Sequence, residues 1–367
     1  MRTGDTFPTF SGRLTDFQLS MPEGKKDINR QVVMVAAFCK VASQLVYRGY
    51  YIDSIRDQCM RELKQETDDA VMERSEKLGS EIAGQILQWA GTDMYKKTRN
   101  MPRYTPTIKD GHWAPTAPTF ADALEPYWGS IRTFVLDSST QFKLPPPSSF
   151  SKENNSDIYK NAVEVMQYVD RSDSFWISTV EYWDCNPQRT YIKGHIMYTQ
   201  RKLTPAGHWM SITQVACKQK GLDEMQSCRA YALTSIALAD AFIATWEEKY
   251  RYDYIRPETY IQRYINKDWK PLIETPTFPE YPSAHSAVSA SAATVLENIF
   301  GQDFSFTDST EVTFKMSPRK FSSFREAADQ AAISRAYAGI HYMPACENGK
   351  ALGKKVGEMV LEKLVRK

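Results

Sequence analysis

The sequence predicts a nearly all-α protein in which one long loop, rich in proline and tryptophan, interrupts the helices. Apolar residues recur at helical spacings of three and four over residues 27–90 and again from residue 157. Residues that start and stop helices bracket several of these segments. No stretch has the convincing alternation of apolar and polar residues that is typical of a half-buried strand.

The chain of 367 residues is long enough for one large domain or two ordinary ones. Residues 1–28 mix polar residues with Pro and Gly and predict an irregular N-terminal arm. We expect residues 29–367 to form a single helical domain. Its first part, 29–150, contains N-terminal helices and the Pro/Trp loop, and its second part, 151–367, contains the helical core.

The Pro/Trp loop spans residues 101–150 and includes Trp113-Ala114-Pro115 and Pro145-Pro146-Pro147. A loop of this length is unusual inside a compact domain and often covers or lines a site. A surface connection between two helical halves is the equally acceptable alternative. Helical patterns resume after it, over residues 157–169, 207–220, 223–252, 324–337 and 347–367.

Composition excludes several classes of protein. A hydrophobic fraction of 42% with 12% aromatic residues fits a globular, enzyme-sized chain and excludes bulk disorder. The formal net charge of +2 argues against nucleic acid or an anionic membrane as a partner, so a small-molecule substrate is expected. The longest apolar run, 32–38, is far shorter than the about 20 residues that span a bilayer, and no signal peptide is seen. The six scattered cysteines predict buried thiols, with one bridge left open, and the oligomeric state is also left open.

The segment Pro282-Ser283-Ala284-His285 reads as the start of a helix. Ser283 is able to cap its first turn, and Gly301 stands where a helix usually stops. A helix N-terminus carries unpaired N–H groups and a partial positive charge, so it attracts anions. A capped core helix without a ligand would look the same, so the segment alone does not establish a site.

Two further clusters of basic and imidazole side chains occur in the last third of the chain. Lys249 and Arg256 are seven residues apart, which corresponds to two helical turns if the helix persists, and Pro257 places Arg256 at a helix end. Arg335 precedes the helix stop Gly339 and is followed by a histidine, His341, in the sequence 334–341. Each residue alone is commonly a surface charge or a structural histidine.

Taken together, Lys-x6-Arg-Pro, Pro-Ser-x-His and Ser-Arg-x5-His resemble the signature of one superfamily. It comprises type 2 phosphatidic acid phosphatases, bacterial non-specific acid phosphatases and vanadium-dependent haloperoxidases. The resemblance implies an all-α helical bundle of the chloroperoxidase and acid phosphatase type around a phosphate- or vanadate-sized oxyanion site.

The resemblance also implies a role for each signature residue. Arg and Lys suit a tetrahedral oxyanion because they supply a planar fork and a point charge. The implied oxyanion-binding residues are Lys249, Arg256, Ser283, the backbone N–H of Ala284, and Arg335. The implied catalytic residues are His285, as acid–base, and His341, as nucleophile on phosphorus or axial ligand to vanadium. Ala284 departs from the family, which most often has Gly there, and its methyl group narrows the approach to the anion.

Further stretches are similar to the bacterial haloperoxidase branch, among them Gly111-His112-Trp113-Ala114-Pro115 and 237–246. The leading interpretation is a vanadium-dependent haloperoxidase-like enzyme that oxidises halide with hydrogen peroxide and has vanadate as its cofactor. The alternative is an acid phosphatase that hydrolyses phosphate monoesters through a phospho-histidine and requires no cofactor. A second alternative is an inactive oxyanion-binding homologue, suggested by Ala284. Because family members are commonly exported, a periplasmic or secreted location is expected.

Several other residues are candidates for the surroundings of the site. Asp240 lies on an Ala-rich helical face, where an unpaired charge would be costly, and is a candidate carboxylate behind the site. Trp246, Phe278 and Tyr281 are candidate pocket-lining aromatics, although core packing is their more common fate. His208 is expected to form a hydrogen bond within its own Gly-His-Trp turn.

Overall fold

The computed structural model describes residues 9–20, 27–186, 189–200 and 202–366. The described residues contain twelve α-helices and two short antiparallel hairpins, which confirms the predicted nearly all-α fold. No helix within the described ranges is long and apolar enough to cross a membrane. The chain divides into two compact units, Met1–Arg99 and Asn100–Lys367. The boundary lies inside the segment 29–150.

The described part of the first unit contains four helices: α1 (Arg30–Leu45), α2 (Gly49–Lys64), α3 (Asp69–Ala90) and α4 (Tyr95–Thr98). Helix α1 packs against both α2 and α3. The side chains of Asn29 and Asp68 cap α1 and α3, each accepting two backbone N–H bonds. Helix α2 has no buried residue, so this unit has a thin core.

The second unit contains the remaining helices: α5 (Asp157–Asp170), α6 (Ser174–Tyr182), α7 (Pro205–Lys220), α8 (Glu224–Tyr252), α9 (Pro257–Tyr264), α10 (Ala284–Phe300), α11 (Phe324–Tyr337) and α12 (Met343–Leu364). Helix α10 lies at the centre and packs against α7, α8, α11 and α12. Thirteen of its seventeen residues are buried. The predicted cap at Ser283 and the stop at Gly301 are both confirmed.

Helix α12 approaches α10 closely because glycines face it. A Cβ added at Gly353 would lie 1.9 Å from the Ala287 carbonyl oxygen, and one at Gly349 would lie 2.5 Å from that of Ser283. Any side chain at either position would therefore push the two helices apart. This packing fixes the backbone at the start of α10.

Two hairpins were not predicted. Strands β1 (Arg189–Lys193) and β2 (Ile196–Gln200) pair antiparallel, as do β3 (Phe306–Asp308) and β4 (Arg319–Phe321). Strands of three residues are too short to carry an alternating pattern, and the five-residue pair shows none that stands out. The long loop is confirmed, since residues 101–150 contain only one 3-10 turn, Trp128–Ser130.

Candidate functional site

The start of α10 forms one wall of the site. Ser283 donates its N–H to the carbonyl of Ala345 at 3.0 Å, and its Oγ accepts from the N–H and the hydroxyl of Ser286 at 3.4 Å and 2.9 Å. The N–H groups of Ala284 and His285, in the first helical turn, have no acceptor within a helix. These backbone groups are therefore available to an anion, whereas the Ser283 hydroxyl also contacts the side chain of Cys346.

Arg256 occupies the position just before α9, in extended backbone, and Pro257 begins that helix. Arg256 lies at a helix end as predicted, but at the N-terminal end of α9. The helix that contains Lys249 ends at Tyr252, so it does not persist to Arg256 and the two cations do not share one helix face. The buried guanidinium donates from Nε to the Phe278 carbonyl and from Nη1 to the Ile340 carbonyl, both at 2.9 Å. Nη1 also lies 3.1 Å from Nε2 of His341. Burial lowers the pKa of Arg256 to about 10, so it remains charged at neutral pH.

His341 follows α11 and is held at both ring nitrogens. Its Nδ1 lies 2.8 Å from Oε1 of Glu280. Because the guanidinium of Arg256 can only donate, Nε2 carries a lone pair and the Nδ1 proton is donated to Glu280. Burial, and the charges of Arg256, Lys249 and Arg335, lower the pKa of His341 well below its usual value. The imidazole is therefore neutral, and contact of Nε2 with an anion would require its bond with Arg256 to be exchanged.

His285 and Arg335 share an anchor. Arg335 donates from Nη1 to the carbonyl of Trp183 at 3.1 Å, and His285 bonds to the same carbonyl. His285 is partly accessible as a residue, but its Nε2 is shielded and has no partner, so Nδ1 makes the bond to Trp183. Burial and the charge of Arg335 lower the pKa of His285 well below its usual value. Its Nε2 is thus a free proton acceptor.

Lys249 lies in the last turn of α8 and is fully buried. Its Nζ lies 2.9 Å, 3.0 Å and 2.6 Å from the carbonyl oxygens of Pro279, Glu280 and Pro282. Burial and the neighbouring Arg256 lower the pKa of Lys249, yet only an ammonium can donate to three carbonyls at once. All three donors hold the turn that leads into α10. Contact with an anion would require one of these bonds to be exchanged.

Sequence reasoning missed Glu280. This residue is completely buried, and its Oε1 accepts from His341 and from the N–H of Tyr342 at 3.0 Å. Burial raises the pKa of its carboxyl to about 7, against the charges of Arg256 and Lys249. The available signal was a lone acidic residue in the otherwise apolar run 278–282, directly before the signature serine.

Three of the residues predicted for the site each leave one buried polar atom without a hydrogen bond: Nη2 of Arg256, Nε of Arg335 and Nε2 of His285. Such atoms are uncommon in folded proteins and call for an explanation. Two are donors on cations, so they suit a multiply charged oxyanion. The described residues contain no cluster of His, Cys, Asp and Glu that would hold a metal cation. The cationic donors therefore fit an anionic group such as vanadate.

Two aromatic residues line this region. The ring of Phe278 lies 4.9 Å from Nζ of Lys249 and 5.1 Å from Cζ of Arg256. Trp246 packs against Phe278 with ring centroids 5.0 Å apart, and its Nε1 donates to the Leu124 carbonyl at 3.3 Å. Of the three predicted pocket aromatics, the structure therefore brings Phe278 to the cationic residues and packs Trp246 behind it.

Tyr281 and Asp240 make other contacts. The Tyr281 hydroxyl donates to the Pro145 carbonyl at 2.6 Å and so ties the long loop to the turn before α10. The Asp240 carboxylate accepts from the N–H groups of Phe134, Val135 and Leu136 at 2.6–3.2 Å. Burial raises its pKa to about 6, opposed by these three bonds. Its observed contacts anchor the long loop to α8.

Comparison with known proteins gives a consistent result. The profile "VCPO second helical-bundle domain" matches residues 229–367. The crystal structure of a bacterial vanadium-dependent iodoperoxidase is 39% identical, with a TM-score of 0.91 over 99% of this chain and 86% of that chain. Holo and apo structures of a bacterial vanadium-dependent chloroperoxidase share the fold at 16% identity, with TM-scores of 0.68 and 0.67. They cover 92% of this chain, and 82% and 84% of their own chains. A search of curated proteins gave no match.

Proposed function

Because this chain belongs to the vanadium-dependent haloperoxidase family, we propose that it binds vanadate beside His341 and oxidises halide with hydrogen peroxide. The observation that carries the proposal is the set of three unpartnered buried atoms on Arg256, Arg335 and His285. A phosphate-sized oxyanion would give each of them a partner.

Charged and neutral residues of the site would have different roles. Arg256 and Arg335 would neutralise the oxygens of the anion, and Ser283 with the N–H of Ala284 would add neutral donors. His341 would help to hold vanadate through the lone pair of its Nε2. Bound vanadate would supply Lewis-acid activation of hydrogen peroxide.

His285 would act as the acid–base residue for the proton of hydrogen peroxide. Its Nε2 is unprotonated and unpartnered, while Nδ1 is fixed on the Trp183 carbonyl. It can therefore accept a proton from hydrogen peroxide at the site and return it to an oxygen leaving the site. The methyl group of Ala284 leaves its backbone N–H in place, so the donor set is complete.

We propose iodide as the preferred halide. The iodoperoxidase that is 39% identical supports this choice, and iodide is the most easily oxidised of iodide, bromide and chloride. The rings of Phe278 and Trp246 provide a large polarisable wall beside the cations, which suits a large anion.

The test is reconstitution with vanadate. Protein stripped with a chelator should form triiodide from iodide and hydrogen peroxide only after orthovanadate is added, and bromide should react more slowly. Calorimetry should show phosphate competing with vanadate at one site. Hydrolysis of nitrophenyl phosphate that vanadate inhibits, without halide oxidation, would overturn the proposal in favour of a phosphatase.

A further inference from the structure

Glu280 is the acidic residue that touches His341, and nothing in the signature motifs assigns it a role. We propose that Glu280 is a positioning residue that holds the Nδ1 proton of His341 and thereby presents the Nε2 lone pair to the bound oxyanion. This inference rests on the proposed function. It assigns a role to Glu280, which lies outside the signature motifs, and explains why an acidic side chain is buried there.

His341 needs such a partner because of where it lies. It stands outside any helix, between Gly339, with a φ of 83°, and the start of α12. A neutral imidazole has two tautomers, and a flipped ring or the wrong tautomer would direct an N–H at the anion. The guanidinium of Arg256 at Nε2 favours the tautomer with its proton on Nδ1, and the carboxylate at 2.8 Å holds that proton and fixes the orientation of the ring. A carboxylate behind a ligating histidine also makes the ligating nitrogen more basic.

Glu280 is itself fixed from three directions. Its backbone N–H donates to the Tyr254 carbonyl at 3.0 Å. Its backbone carbonyl accepts from Lys249, and its Oε1 also accepts the N–H of Tyr342, the residue after His341. The carboxylate therefore contacts both the ring of His341 and the adjacent backbone.

This arrangement also explains the contacts of Lys249. Its three hydrogen bonds go to the carbonyls of residues 279, 280 and 282, on both sides of the Glu280 side chain. Lys249 thus holds the segment that holds Glu280, which in turn holds His341.

Two substitutions at Glu280 separate the effect of its charge from the effect of its hydrogen-bond acceptor. Glu280→Gln keeps an oxygen that accepts from His341 and Tyr342 but removes the charge, whereas Glu280→Ala removes the acceptor. Glu258→Gln is the matched control, since Glu258 is also buried, bonds to Thr275 at 2.5 Å and interacts electrostatically with Arg256. Its described contacts do not include His341.

The first measurement is affinity for orthovanadate and for inorganic phosphate, by calorimetry. Only vanadate gains a bond to Nε2 in its stable bound form, so the two anions separate positioning from general structure. Glu280→Ala should weaken vanadate binding by about 10- to 100-fold, while phosphate binding changes by less than about 3-fold. Glu280→Gln should have a smaller effect, and Glu258→Gln should have none. Equal losses for both anions, or no loss for vanadate, would overturn the inference.

The second measurement is independent of vanadate. Nitrogen-15 NMR of labelled histidine reports the tautomer of His341 in anion-free protein. Because Arg256 still faces Nε2 in Glu280→Ala, both proteins should keep the Nδ1–H tautomer, but only wild type should show the nitrogen-15 shift of an Nδ1–H that is hydrogen-bonded to a carboxylate. If wild type bound no vanadate, the proposed function would fail. The Nδ1 shift would still decide the role of Glu280, because an unchanged shift in Glu280→Ala would overturn it.

Discussion

Two buried histidines, His341 in the candidate site and His208 in α7, each contact a carboxylate and yet differ in charge. Nδ1 of His341 lies 2.8 Å from Glu280, and Nε2 of His208 lies 2.7 Å from Asp308. The pKa of His341 is lowered well below its usual value, whereas that of His208 is raised to about 10. A carboxylate partner alone therefore does not determine the protonation state.

The second ring nitrogen decides the difference. Nε2 of His341 faces the guanidinium of Arg256, which tolerates only a lone pair. Nδ1 of His208 lies 3.5 Å from Oε1 of Glu311 and 3.5 Å from Sγ of Cys185. Both of these atoms can accept a hydrogen bond, so they favour a proton on Nδ1. His208 is thus an imidazolium in a buried ion pair, and His341 is a neutral imidazole. The prediction that His208 bonds within its own turn is wrong, because its charged partners come from residues 308 and 311.

The largest expected effect is on vanadate affinity and follows from removing the neutral imidazole of His341. His341→Ala should lower vanadate affinity by more than about 100-fold, since losing a ligand costs more than losing the group behind it. Vanadate-dependent halide oxidation should fall to background, while phosphate binding survives. Calorimetry and a triiodide assay measure this. His195→Ala, an exposed imidazole in the turn between β1 and β2, is the control and should behave as wild type.

The buried imidazolium should matter for stability instead. Asp308→Asn leaves the His208 charge without its closest counter-charge, and breaking a buried ion pair costs about 3–5 kcal/mol. The free energy of unfolding in urea should fall by that amount. Asp137→Asn, which breaks the exposed pair with Lys363, should change it by no more than about 1 kcal/mol. Comparable losses in both variants would mean that His208 is not charged in the folded protein.

The same contrast separates what sequence can predict from what it cannot. The cap at Ser283, the stop at Gly301 and the helix end at Arg256 depend on neighbours within a few residues, so local rules find them. The partners of His341 and His208 lie 61 and 100 residues away, where only the tertiary fold decides which side chains meet. The spacing of cations and histidines is therefore predictable, but the protons on the histidines are not.

The smallest expected effect is a pH dependence that comes from His208. Burial lowers its pKa, but the hydrogen bonds to Asp308 and Cys185 outweigh this and raise it to about 10. Because the pKa of His208 is higher in the folded than in the unfolded protein, its protonation stabilises the fold fully below the unfolded pKa of about 6.5. This stabilisation is lost as pH rises through about 10. Unfolding in urea should therefore become easier between about pH 7 and pH 9.5, by at most roughly 3 kcal/mol. His208→Gln should flatten this slope. If the free energy of unfolding depended on pH equally in the variant, the dependence would come from other groups, and His208 would be neutral in the folded protein, as His341 is.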